Sequence, residues 1–307
     1  MSMLITVIVP VFAIILMGRL AILRKWLEPA ALRGMNDFVF YAAMPALLFD
    51  SLVRAESLRM ADATAVFFVV SLFIYALGMG LAAWLLRAPF APAAVVGLNA
   101  CFGNAVMMGI PIVVASFGVE ALPSLLGIIA LHSAIVLPLA TVLIEFGAAG
   151  RGDARHVLRV TCLGLIRNPV ILTMAFAFLW RAFSLPLPEM FHEFFRLLGS
   201  AGPPLALFCL GASLPPFSGV SVLKEALLAC VLKLLLLPVL MGGAGVLLGL
   251  SGTPFKVAVL IAGMPTGANA FLLARRTATL MEASASTVVA ATVLSLFTLS
   301  ALLAWLQ

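Results

Sequence analysis

Charge is scarce in this sequence. Asp, Glu, Lys and Arg make up 10% of its 307 residues, and apolar types make up 64%. A water-soluble domain averages about 25% charged and about 45–50% apolar, so a soluble fold is excluded. Catalytic signatures are missing too. The three histidines, His132, His156 and His192, stand far apart. There is no HExxH, no GxSxG, no P-loop and no pair of carboxylates on one helix face. An intramembrane protease or hydrolase has nothing to work with, and this chain cannot hydrolyse ATP. No catalytic residue, metal ligand or cofactor is expected. The four cysteines (Cys101, Cys162, Cys209, Cys230) form no CxxC and read as small apolar helix residues. The N-terminus lacks the basic region of a cleavable signal peptide and reads as a retained first helix.

What the chain has instead is long uncharged runs, at 63–86, 88–119, 121–144, 197–223 and 283–307. A spanning helix needs about 20 apolar residues to cross about 30 Å of hydrocarbon. The pattern predicts an all-α integral membrane protein of ten transmembrane helices, at 3–22, 38–54, 64–86, 92–116, 123–147, 164–183, 196–214, 225–249, 254–274 and 284–305. The +6 net charge sits in short loops, so topology rather than nucleic acid explains it. Odd-numbered loops hold eleven basic residues: Arg24, Lys25, Arg33, Arg87, Arg151, Arg155, Arg159, Arg167, Lys224, Arg275 and Arg276. Even-numbered loops hold five: Arg54, Arg59, Arg181, Arg196 and Lys256. The positive-inside rule then leaves both termini extracytoplasmic in a bacterial-type inner membrane.

The basic loop 148–159 divides the chain into 1–150 and 151–307, five helices each. An odd number per half inverts the second half, a 5+5 inverted repeat of the kind common in secondary transporters. Three matches recur in order at nearly one offset. Pro45-Ala46-Leu47-Leu48-Phe49 resembles Pro204-Leu205-Ala206-Leu207-Phe208. Gly109-Ile110-Pro111 resembles Gly263-Met264-Pro265. Ala140-Thr141-Val142-Leu143 resembles Ala291-Thr292-Val293-Leu294.

Helices four and nine each gather Gly, Pro and Asn in mid-span: Gly103, Asn104, Gly109 and Pro111 in one, Gly263, Pro265, Thr266, Gly267 and Asn269 in the other. Proline removes a donor and kinks the helix, and glycine lets the backbone leave helical geometry. Interrupted helices at corresponding positions of two halves point to a transporter binding site. Their exposed N–H groups and partial positive ends would hold a carboxylate. Asn104 and Asn269 would bond substrate oxygens or freed backbone. The competing reading is ordinary proline kinks with small residues for close packing. Lys233, inside an apolar run, either compensates charge at this site or snorkels to the headgroups. As site chemistry it would neutralise an anion or replace a bound cation between the half-helices. His132 is either a proton relay or hydrogen-bonded structure. Glu145 and Asp50 read as interfacial ion-pair residues, and Asp37 as a favourable charge at the start of helix two.

Taken together, FVFYAAMPALLF (38–49), GNAVMMGIPIV (103–113), RNPVIL (167–172), GPPLALFCLGASL (202–214), LKLLLLPVL (232–240) and GMPTGANAFLLA (263–274) resemble the auxin efflux carrier family. That family includes plant auxin exporters and bacterial malonate and malate permeases. The resemblance implies a fold similar to bile-acid:sodium symporters, with helices four and nine crossing at Pro111 and Pro265 and the substrate carboxylate beside Asn104. It also implies a dimerising scaffold of helices one, two, six and seven, and an elevator-like transport domain of the rest. Unlike the plant members, this chain lacks a long central loop, and its third helix has no Asp or Lys. The expectation is a secondary carrier for a small carboxylate anion, with Na⁺ or H⁺ as possible coupling ion. Its rivals are a sodium-coupled symporter, with an oxygen-rich pocket near Asn104, Thr266 and Asn269, and a non-transporting membrane sensor.

Overall fold

The computed structural model describes residues 7–54, 61–149, 169–215 and 222–306. Among these the chain is helical and forms no β-strand. Five helices are long and apolar enough to cross a membrane: Asp62–Leu85, Val119–Gly147, Glu189–Ser213, Leu223–Leu247 and Met281–Leu306. Shorter apolar helices include Val9–Leu23, Phe90–Cys101 and Gly252–Ala262. The basic loop with Arg151, Arg155 and Arg159 lies outside the described residues. So do Arg59, Arg167, His156, Cys162, and the parts of spans one and six at 3–6 and 164–168.

Span two starts earlier than hydropathy predicts. Its helix begins at Pro29 and runs on, through a wider turn at Val39–Ala43, to Arg54. Pro29 suits a first helical turn, because its missing N–H is not needed there. Arg33 and Asp37 hid this start by lowering the local hydropathy. Asp37 therefore lies inside the helix, one residue before Phe38, and its expected role at an N-terminus is overturned.

Among the described residues four complete stretches widen to i→i+5 winding: Val39–Ala43, Ala105–Gly109, His132–Val136 and Leu232–Leu236. Each ends two residues before a proline, namely Pro45, Pro111, Pro138 and Pro238. Proline offers no N–H and its ring collides with the carbonyl four residues back. The turn opens to pass the obstruction. In three cases the residue before the proline (Met44, Leu137 or Leu237) donates to the carbonyl five positions earlier. Such widened turns often carry functional side chains, and two of these hold His132 and Lys233.

Contacts divide the chain into two units. The first comprises Met1–Arg59, Val106–Leu126 and Gly164–Leu214. In it the helix Val9–Leu23 lies against Gly202–Ser213. Two glycines allow the approach, since a Cβ at Gly18 would strike the Phe208 carbonyl and one at Gly211 the Ile15 carbonyl. Without a hydrophobic force between helices in lipid, such small-residue contacts hold the pair by close packing. Elsewhere in the unit the Phe49 ring packs against Phe176, Trp180 and Phe195, at centroid distances of 5.4, 5.7 and 5.0 Å.

The second unit comprises Met60–Ala105, Gly127–Leu163 and Pro215–Gln307. Its centre is the helix Phe90–Cys101, buried at every residue from Ala93 to Cys101. A helix apolar on all sides belongs in an interior. Ala61–Leu85 packs along it, and a Cβ at Gly97 would come within 2.6 Å of the Tyr75 carbonyl. At the edge of the unit Arg276 meets Glu145 at 3.6 Å, the ion pair expected for that carboxylate.

The glycine contact in the first unit gives a direct test. Overpacking a core costs about 1–3 kcal/mol, and here the obstacle is backbone, which cannot turn aside. We expect Gly211→Val to lower the thermal midpoint of the detergent-purified protein by more than about 5 °C. Gly243→Val, where a Cβ meets nothing within 4 Å, should change it little. Equal melting of the two variants would refute the packing argument.

Candidate functional site

The two interrupted spans meet inside the second unit. One helix stops at Cys101 and resumes winding at Ala105, and the other stops at Ala262 and resumes at Ala268. Between the breaks Gly103 and Thr266 form a single antiparallel bridge. Asn104 N–H donates to Pro265 O at 2.8 Å, and Gly267 N–H donates to Phe102 O at 2.9 Å. In lipid, backbone that leaves a helix must find partners inside the protein, and here each break satisfies the other. Glycine is needed at the contact. A Cβ at Gly267 would lie 3.1 Å from the Gly103 carbonyl, and one at Gly103 would lie 3.3 Å from Lys233 Nζ.

This geometry moves the expected crossing. Pro265 lies in its break, but Pro111 lies within continuous winding from Ala105 to Phe117, where the turn widens to pass it. The interruption of span four falls at Gly103–Asn104 instead. The bridge pairs residues 163 apart in sequence, so the match of Gly109-Ile110-Pro111 with Gly263-Met264-Pro265 does not mark it. The site residues of the second unit accordingly gather at the crossing. Gly103, Asn104, Gly263, Pro265, Thr266 and Gly267 are buried there, and Asn269 is exposed one turn on. Gly109 and Pro111 belong to the first unit and are also buried.

Lys233 is fully buried, at 0% exposure, so the snorkelling alternative is overturned. Its Nζ donates to Ala262 O at 2.5 Å, the last carbonyl of the helix that ends at the second break. A helix C-terminus carries about half a negative charge, and the lysine N–H meets it. Its widened turn before Pro238 belongs to the same unit.

His132 is likewise interior, at 2% exposure. The expected structural hydrogen bond is absent: among the described residues neither ring nitrogen has a partner. Three phenylalanines enclose the ring instead, Phe67, Phe68 and Phe102, with centroids 5.2, 5.7 and 5.0 Å away. Phe102 ends the helix before the first break, so the histidine adjoins the crossing through that ring.

Sequence reading missed Asn99, which is 1% exposed. Its backbone carbonyl accepts Thr266 Oγ at 2.8 Å, and its Oδ1 accepts Ser284 Oγ at 2.9 Å. One residue thus ties the first helix before its break, the second break and the start of Met281–Leu306. Its signal was an amide in mid-span within an otherwise apolar run, overlooked because no Gly or Pro adjoins it.

The family described as membrane transport protein matches residues 3–303. The chain belongs to that family, the family of the auxin efflux carriers. It is similar to a protein of Rhizobium meliloti (strain 1021) named "Putative malonate transporter", with 30% identity over 96% of this chain and 93% of the relative. It is also similar to auxin efflux carrier component 8 of Arabidopsis thaliana, with 25% identity over 82% of this chain and 83% of the relative. Auxin efflux carrier component 6 of the same plant matches at 28% identity, over 39% of this chain and 22% of the relative. The protein is a multi-pass membrane transporter and not an enzyme.

The Asn99 tie can be checked through stability. Losing a buried hydrogen bond costs about 1–3 kcal/mol, so Thr266→Val, which keeps the shape, should lower the thermal midpoint by about 3–8 °C. Unchanged melting would mean that the Thr266–Asn99 bond contributes nothing to the crossing.

Proposed function

We propose that this transporter is a secondary carrier for a small carboxylate anion, and that it binds its substrate at the crossing of the two broken helices. The observation that carries this reading is the mutual bridge at Gly103 and Thr266. It holds two helix N-termini, at Ala105 and Ala268, in non-helical backbone inside the protein. The first N–H groups of a helix lack intrahelical partners and carry partial positive charge. Asn104 begins one of these ends with its side chain buried, placed to donate to a carboxylate oxygen. Gly263, Pro265, Thr266, Gly267 and Asn269 complete the binding region, and His132 is the candidate proton relay. The relatives named for malonate and auxin transport favour malonate, malate or an auxin-like acid as substrate.

Ten spans, arranged as inverted halves 1–150 and 151–307, are the architecture of this reading. The protein sits in the inner membrane with both termini extracytoplasmic. Spans one, two, six and seven form a dimerising scaffold, while the others carry the site in elevator fashion. The division of contacts supports this partition, since spans one, two, six and seven fall in one unit and spans three, eight, nine and ten in the other. Lys233 favours sodium-independent transport. Its Nζ already serves the carbonyl end where a bound cation would sit, and Thr266 Oγ is committed to Asn99.

The test is uptake of radiolabelled malonate, malate and indole-3-acetate into proteoliposomes, under imposed sodium, proton and voltage gradients. Wild type should move at least one of these acids without sodium. Asn104→Ala should reduce that flux at least about tenfold, equivalent to about 1.4 kcal/mol of lost carboxylate bonding. Flux that Asn104→Ala leaves intact would remove the site from the crossing. Binding without flux under every gradient would favour a sensor, and sodium-dependent flux would favour the symporter.

A further inference from the structure

A cavity lies wholly within the first unit, and none of its lining residues belongs to the crossing. It is open and measures about 870 Å³. One wall is the end of the helix Met44–Arg54, with Asp50 and Arg54 one turn apart on the same face. The facing wall is Glu189–Ser200, with His192 and Arg196 likewise one turn apart. By the loop-charge reading this is the extracytoplasmic end of both helices.

The charges in this cavity are unevenly matched. Asp50 is engaged, because His192 Nδ1 lies 2.5 Å from its Oδ1. Arg196 is engaged by its neighbour Glu193, at 2.9 and 2.7 Å. Glu120, also in the lining, has its carboxylate folded back over Gly118. Arg54 differs. Its guanidinium donates to His192 Nε2, a ring nitrogen that accepts only while it carries no proton. In the neutral tautomer that donates Nδ1–H to Asp50, Nε2 is such an acceptor. Among the described residues no carboxylate lies within ion-pair distance of Arg54. A planar fork of five donors is matched to a carboxylate, and here it rests on a single neutral acceptor. Leu47 and Phe195 give the cavity an apolar side suited to the carbon skeleton of an organic acid.

We propose that Arg54 anchors a second carboxylate site, which takes a small mono- or dicarboxylate anion in place of the imidazole. The proposal does not depend on the crossing being the transport site. Arg54 is exposed, so its substitution leaves the packing intact. The test is equilibrium dialysis of the purified full chain in detergent against radiolabelled acetate, malonate, malate and indole-3-acetate. At least one acid should show a binding component that Arg54→Gln weakens about tenfold or more. Arg54→Lys, which keeps the charge without the fork, should fall between, and Asn104→Ala should leave this component in place. Binding of all four acids that is the same in Arg54→Gln as in wild type, or no binding of any, overturns the proposal. Loss in Asn104→Ala alone also overturns it while leaving the crossing site standing. Loss in Arg54→Gln alone supports it, and the crossing site is then decided by the flux of Asn104→Ala.

Discussion

A polypeptide inside hydrocarbon must satisfy its own backbone polar groups, and the site depends on how this chain meets that demand after breaking two helices. Each break exposes carbonyls at one end and N–H groups at the other. Either alone would leave groups unpaired at a cost of several kcal/mol each. Crossing them lets Asn104 N–H bond Pro265 O and Gly267 N–H bond Phe102 O. The exchange is possible only at very close approach, which explains Gly103 and Gly267 at the contact. The same crossing then demands further buried polar partners: Asn99 to hold Thr266, and Lys233 to hold the Ala262 carbonyl.

The prolines have a second role that the binding-site reading obscured. Four of them follow a widened turn by two residues. They mark where a helix bulges rather than where it stops. Glycine, which frees the backbone without blocking it, marks the stop at Gly103. The sequence contains both residue types in span four, Gly103 and Pro111 eight positions apart, and their different physics separates the bulge from the break.

Much of this was legible from residues alone. Composition excluded a soluble fold, and apolar runs pointed to the five membrane-length helices. The coincidence of Gly, Pro and Asn pointed to spans four and nine, whose breaks do meet. What failed did so for specific physical reasons. The start of span two was masked because Arg33 and Asp37 lower hydropathy on a helix whose signal is Pro29. The crossing was assigned to Pro111 because proline is the louder helix breaker, although here the winding opens to pass it. Lys233 was ambiguous because its stem is long enough to snorkel, and only its partner resolves the choice. Asn99 and the enclosure of His132 by three phenylalanines depend on contacts between helices far apart in sequence, which no local pattern encodes.

Placing a cation from the protein at the crossing, rather than one from solution, has an electrical consequence. So long as Lys233 keeps its proton, a site that moves through the field as proposed carries one positive charge when empty. With a monoanion bound it carries none. The membrane potential, worth about 2.3 kcal/mol per charge per 100 mV, then acts on the return of the empty carrier rather than on the loaded step. An inside-negative cell draws the empty, positively charged site toward the cytoplasm and so favours loading there and release outside. A bound sodium ion would remove this voltage dependence, because it enters with the substrate and leaves both the loaded and the empty site neutral. The identity of the cation at the Ala262 carbonyl therefore bears on the direction of transport as well as on the stability of the broken helix. On this argument a fixed lysine at that position suits an exporter of monovalent acids better than an importer.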